Sequence, residues 1–125
     1  MRVFLAGAIW AVMAAGSALA QEAAGLRAGD TPFAPAELTE LLSGQAVTFF
    51  DGGTARFGAE GAYSYIYEGS DQVWAGTWAA GQDSAVCVAF ENGTSRCDTY
   101  VDDGKRLVLI TEAGDRFPAK SREPF

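Results

Sequence analysis

Ser84-Ala85-Val86-Cys87-Val88-Ala89-Phe90-Glu91-Asn92-Gly93-Thr94-Ser95-Arg96-Cys97-Asp98-Thr99-Tyr100-Val101 is the stretch that decides the fold. Two runs rich in Val, Phe, Thr and Tyr flank Asn92-Gly93, and glycine takes φ > 0 without steric cost, so the pattern reads as a β-hairpin. The cysteines choose its register. A two-residue turn at Asn92-Gly93 pairs Glu91 with Thr94 and leaves Cys87 opposite Asp98. A three-residue loop over Glu91, Asn92 and Gly93 pairs Phe90 with Thr94 and sets Cys87 opposite Cys97. The second is better, because it puts Gly93 at the left-handed position closing the loop and brings the Cα atoms to the roughly 4.5 to 5.5 Å that a disulfide spans.

An oxidising compartment is also written at the start of the chain. Met1-Arg2 is a short basic start, Val3 to Ala15 is an unbroken apolar run, and Ala18-Leu19-Ala20 is a small-x-small cleavage site, which together read as a secretory signal peptide over residues 1–20. The run is shorter than the ~20 apolar residues a membrane span needs, and no cysteine follows the cleavage site to take a lipid. The expected location is periplasmic or secreted, with no stable membrane insertion after cleavage. Two cysteines in an exported chain favour one bond over two thiols. No Cys-x-x-Cys is present, and the chain has no histidine, so redox and metal-binding roles for the cysteines find no support.

The net charge is −7 over the whole chain, and losing Arg2 with the signal makes it about −8. Its Lys and Arg are scattered among carboxylates along the sequence, which argues against nucleic acid and against an anionic membrane surface as partners. Basic proteins or cationic ligands would be drawn in, although solubility is the plainer use of such charge.

Residues 21–34 are Ala, Gly and charge without a period at first, and read as a disordered leader. Pro35 suits the first turn of a helix, Leu38, Leu41 and Leu42 fall on one face, and Gly44 suits the residue just past its end. From Ala46 onward, strands alternate with turns marked by Gly or Asp every 8 to 12 residues or so, the pattern of an antiparallel meander. The expected fold is therefore mainly β. It is a small antiparallel meander of up to eight strands, curled into a barrel or packed as a sandwich to solve its edge problem, with the barrel preferred. One short N-terminal helix and one disulfide, Cys87–Cys97, complete a single β domain at 35–118, followed by a C-terminal tail at 119–125.

Parity then divides the side chains. Tyr63, Tyr65 and Tyr67 share one face of their strand, and Trp74, Gly76 and Trp78 share one face of the next, with Gly76 letting a neighbouring group approach. On the hairpin Cys87, Ala89, Cys97, Thr99 and Val101 share one face, and Val86, Val88, Phe90, Arg96, Asp98 and Tyr100 share the other. Both faces are expected to be partly covered, one of them by the helix.

Chemistry is thinly supported. Without histidine, a Ser or Cys nucleophile would need Lys as base, and Lys105 and Lys120 fall in a turn and in the tail. Asp51 and Asp102-Asp103 sit beside glycines, where Asp serves by bonding the backbone. The spacing from Asp98 to Gly104 does not fit a calcium loop. No catalytic, metal or cofactor-binding residues are assigned, and the protein is expected not to be an enzyme. Asn92-Gly93-Thr94 matches a glycosylation acceptor, but the hairpin already explains the Asn and the Gly.

A surface for a ligand or partner is drawn from two sets. Tyr63, Tyr65, Tyr67, Trp74 and Trp78 either line a pocket for an apolar or sugar ligand or fill the core, and core filling is favoured in so small a domain. Arg96, Asp98, Tyr100 and Arg106 form the second set. With a three-residue loop at Asp102 to Gly104, Arg106 lies opposite Tyr100, giving a salt-bridged solvent face or, less in keeping with ordinary sheets, a polar floor for an anion.

These residues carry a resemblance. Leu38-Thr-Glu-Leu-Leu-Ser-Gly44, Phe57 with Gly61 and Tyr63, Gly76-Thr77-Trp78, and the Cys87/Cys97 hairpin together look like small exported β-proteins of Gram-negative bacteria without established function. That resemblance spans about 80 residues and implies no chemistry. The chain is also similar, more faintly, to periplasmic lysozyme inhibitors, which are small disulfide-bridged β-barrels, and an acidic protein suits a basic enzyme. Their Ser-Gly-rich inhibitory loop is not matched. Gly58-Ala-Glu-Gly-Ala-Tyr63 is nearest and lacks the serines. The expected function is an exported binding or interaction domain for an unknown protein or small ligand of the cell envelope, with inhibition of a basic envelope enzyme such as lysozyme as the alternative.

Overall fold

The computed structural model describes residues 25–125, so the expected signal peptide and the first part of the leader lie outside the described residues. The hairpin is as the cysteines require. Strands β6 (Ala85–Phe90) and β7 (Ser95–Asp102) pair with Cys87 opposite Cys97. The amide of Phe90 donates to the Thr94 carbonyl at 2.8 Å, and Gly93 sits at φ 91°. The disulfide forms across Cα atoms 4.0 Å apart, closer than the separation expected from strand geometry.

Six further strands extend this hairpin into a meander. They are β2 (Gln45–Phe49), β3 (Thr54–Phe57), β4 (Ala62–Ile66), β5 (Trp74–Ala80), β8 (Leu107–Ile110) and β9 (Arg116–Pro124). Each pairs antiparallel with the next, and β9 returns to pair with β2, so the eight strands close into a barrel. Closure leaves none of the eight as an open edge, the solution a sandwich would not have reached. Gly76 allows the β5–β6 approach, since a Cβ there would fall on the Ala89 carbonyl oxygen.

The expected C-terminal tail is structure rather than tail. Residues Ala119 to Pro124 belong to β9 and face Phe49 through Gln45 across the seam, with a register shift between Thr48 and Phe49. The physical reason is that β2 would otherwise present a row of unpaired N–H and C=O groups.

The expected leader is likewise corrected from Gly25 onward. A short strand β1 (Thr31–Pro32) pairs with the end of β7, at Val101 and Asp102. Leu26 packs on Val101, Val108 and Ile110, which point out of the barrel and are fully buried. Asp30 receives the Arg116 guanidinium in a bidentate pair at 2.8 and 3.0 Å, and Arg116 also donates to the Gly25 carbonyl. The Asp30 carboxyl is held below the usual carboxylate range, first by that hydrogen bond to Arg116. Ser84 adds a latch: its buried hydroxyl donates to the Tyr100 carbonyl and accepts the Phe33 amide. Thus the outer cover of β7 and β8 is this N-terminal strap, not the helix.

Helix α1 (Pro35–Leu42) follows the strap. Pro35 opens it and the Glu37 carboxylate reaches back to the Ala34 amide at 2.8 Å, while Gly44, at φ 74°, ends it. Eight residues make a helix that is marginal alone. It is held because Leu38 and Leu42 enter one end of the barrel and join Val47, Phe57, Trp78, Val86 and Tyr100 in the core. Among the described residues no helix is long and apolar enough to cross a membrane.

Candidate functional site

In a meander the connecting turns alternate between the two ends of the barrel. One end receives α1 together with the β3–β4, β5–β6 and β7–β8 turns. At the other end lie the β2–β3, β4–β5, β6–β7 and β8–β9 turns, and no described residue plugs it. Here the inward parity of the strands opens into a cavity of about 360 Å³.

Its wall grades from core to solvent. Phe57 is fully buried and takes Trp78 and Tyr100 edge-on, at 5.2 and 6.2 Å between ring centroids. It also meets Tyr63 at 5.4 Å, and Tyr63 in turn meets Phe90 at 5.9 Å. Above these lie Tyr65 and Tyr67, edge to face at 4.9 Å, with Trp74 opposite Tyr65 in the β4–β5 pairing. Gly53 is needed beneath the Tyr65 ring, because a Cβ there would coincide with the Tyr65 hydroxyl. That turn is fixed by the Asp51 carboxylate accepting the Gly53 amide at 2.9 Å.

One ion pair stands on this wall. Arg96 donates through Nε and a terminal nitrogen to both oxygens of Asp98, at 2.9 and 2.8 Å, with the Arg96 side chain about half exposed to the cavity and Asp98 nearly buried. The hydrogen bond to Asp98 raises the Arg96 pKa further above its already high value. Burial pushes Tyr63 and Tyr100 well up, and Tyr65 up to about 12, so all three hydroxyls remain neutral donors at any physiological pH.

The residues expected to form a surface therefore separate. Tyr63, Tyr65, Trp74, Arg96 and Asp98 meet in the cavity. Trp78 and Tyr100 do not: both are core, and the Trp78 indole N–H is spent on the Gly58 carbonyl at 2.9 Å. Arg96 and Asp98 are not a solvent face, since their strand face is the barrel interior. Arg106 does not lie opposite Tyr100, whose partner is Leu109. The β7–β8 loop starts one residue later and is one longer than expected, because the Asp103 carboxylate gathers the amides of Lys105 and Arg106 at 2.9 and 2.8 Å. Arg106 instead lies outside the barrel, its guanidinium 4.8 Å from the centre of the Phe50 ring.

Phe49, Leu109, Phe117 and Asp115 complete the wall. The signal for Phe49, Leu109 and Phe117 was available as strand parity, but assigning them needed the β9–β2 seam that the expected tail concealed. Charge on the rim is one-sided. The four turns at this end carry Asp51, Glu68, Asp71, Glu91, Glu112 and Asp115, and no Lys or Arg. Among the described residues no group of three or more His, Cys, Asp or Glu is placed to hold a metal ion. Comparison with known proteins finds no family model, curated protein or solved structure that matches this chain.

Proposed function

We propose that this protein is a non-enzymatic binding domain of the cell envelope, periplasmic or secreted, that takes a small amphipathic ligand into the open mouth of its barrel. The observation that carries the reading is the 360 Å³ cavity walled by Tyr65, Tyr67, Trp74 and Phe90 with the Arg96–Asp98 pair beside them. Its volume falls toward the lower end of ligand sites, which run on the order of 300 to 1,000 Å³, and fits one or two rings rather than a long chain. Flat rings supply apolar area with polar tips, and the half-exposed Arg96 supplies an oriented donor. Export is supported by the signal-like start and by the Cys87–Cys97 bond, which persists in oxidising compartments.

The test uses Trp74 as its own reporter. Titrating the exported form with neutral aromatic compounds and glycosides should produce a saturable change in tryptophan fluorescence that Trp74→Phe removes. Replacing Tyr65 by Ala should weaken binding several-fold to about tenfold, the worth of one aromatic contact. A flat response across both ligand classes would remove this reading.

The rim charge favours a second reading, inhibition of a basic envelope enzyme such as lysozyme. Six carboxylates on four neighbouring turns would steer a cationic protein to the mouth. Lysozyme activity that falls with a molar excess of the protein and recovers as salt rises would support it. Unchanged activity would exclude it.

A further inference from the structure

The opposite end of the barrel carries an arrangement the mouth does not use. Helix α1 covers the β2 and β5 side of that end and leaves a crevice of about 330 Å³ beside β7–β9. Its apolar floor is Phe33, Leu41, Leu107 and Ala119, and Lys105, Arg106, Lys120 and Arg122 stand around it. Four of the nine Lys and Arg in an acidic chain meet there. The nearby carboxylates Asp102 and Asp103 accept turn amides, and the two ion pairs among the described residues involve none of these four cations. Glu37 and Glu40 lie past Leu41 beside Arg122, and the Glu37 carboxylate is engaged by the Ala34 amide. An exposed ring meets one of these cations: Phe50, which leaves β2 for the β2–β3 turn, is 57 % exposed and lies under Arg106.

We infer that this crevice docks the protein on a membrane surface through acidic phospholipid headgroups. Cations beside an exposed ring and an apolar floor are the pattern that meets a headgroup layer: Lys and Arg pair with phosphates while aromatic and aliphatic groups enter the interface. Charge complementarity selects a lipid anion over a protein, because the apolar area is small and shallow while the cations converge. The chain's net negative charge opposes approach from any other side, so the contact also sets orientation. With the rear on the bilayer, the mouth and its acidic rim face away from it.

Co-sedimentation of the exported form with vesicles tests this. Binding is expected to phosphatidylcholine vesicles containing phosphatidylglycerol and not to phosphatidylcholine alone, and is expected to vanish near 1 M salt, where screening is within about 3 Å. Each cation near the surface contributes roughly fivefold, so Lys105→Glu with Lys120→Glu should weaken binding about 25-fold or more. The matched control, Arg27→Glu with Arg56→Glu, changes the net charge equally away from the crevice and should cost far less. Equal loss in the two variants, no preference for anionic vesicles, or binding of inorganic phosphate with no binding to anionic vesicles would overturn the inference. An unaltered thermal unfolding profile for both variants ties any difference to the surface.

Discussion

The plugged end and the open end of this barrel are lined by the same inward-facing strand positions, yet one is solid and the other hollow. Parity delivers large rings to both: Phe57, Trp78 and Tyr100 below, Tyr63, Tyr65 and Trp74 above. The difference is the eight-residue helix, whose Leu38 and Leu42 fill the space between the lower rings. With no counterpart at the mouth among the described residues, rings of the same type stay half-buried around a void. The pair of ends teaches that a barrel's ligand site is decided by what is added to the strands, not by strand composition.

Truncation should expose that contrast most sharply. Phe57→Ala removes a fully buried ring that touches Trp78, Tyr100 and Tyr63, and should cost about 3 to 5 kcal/mol. Trp74→Ala at the mouth should cost less than about 1.5 kcal/mol, since the ring already borders a cavity. Urea unfolding of the two variants measures both. Similar losses would mean that the mouth rings are core in solution and that the cavity closes on them.

This contrast was half legible in the sequence. The hairpin was readable because a local turn and a covalent bond agree on one register, and parity followed across Tyr63 to Tyr67 and Trp74 to Trp78. What escaped depends on groups distant in the chain. Arg116 and Asp30 are 86 residues apart, and no period links them, so the strap passed for a leader. Lys105-Arg106 and Lys120/Arg122 are two pairs separated along the sequence, and they converge because the β8–β9 register, with Val108 opposite Pro118, lays them side by side. Asp102-Asp103-Gly104 offers two starting points for a turn, and the choice rests on which carboxylate captures the following amides. One wrong start displaced Arg106 from its true place.

The strap gives the next prediction, because it covers the outside of the barrel as the helix fills the inside. Asp30→Asn leaves Arg116 only 12 % exposed and without its counter-charge, though still bonded to the Gly25 carbonyl. A loss of about 2 kcal/mol is expected, below the 3 to 5 of a fully enclosed pair. Acid should act in the same way. The folded-state pKa of Asp30 is lowered, so its contribution is fully present above the unfolded value of about 4 and is lost as pH falls through the lower folded value. Protection from hydrogen exchange at Val101 and Asp102, where β1 pairs, taken relative to each amide's intrinsic rate at that pH, should therefore fall in acid before the disulfide hairpin opens. Simultaneous loss of both would show the strap to be part of one cooperative unit.

Alkali probes the mouth, with the smallest effect. Tyr65 is raised to about 12, first by burial and then by the Asp51 carboxylate, while an unfolded chain ionises tyrosine near 10. The folded state therefore holds this proton more tightly, and the resulting stability is complete below pH 10 and declines as pH rises from 10 to 12. Tyr65 is only partly buried, so screening limits its share to a fraction of the nominal shift, on the order of 1 kcal/mol. Ultraviolet titration should show Tyr63, Tyr65 and Tyr100 ionising late, and Tyr65→Phe should remove the earliest of these late steps. A ligand seated against Tyr65 would delay that step further by excluding water from its hydroxyl. A Tyr65 step at the ordinary pH, unmoved by any ligand, would mean that the mouth is wetter than its ring packing implies and would weaken its claim as the binding end.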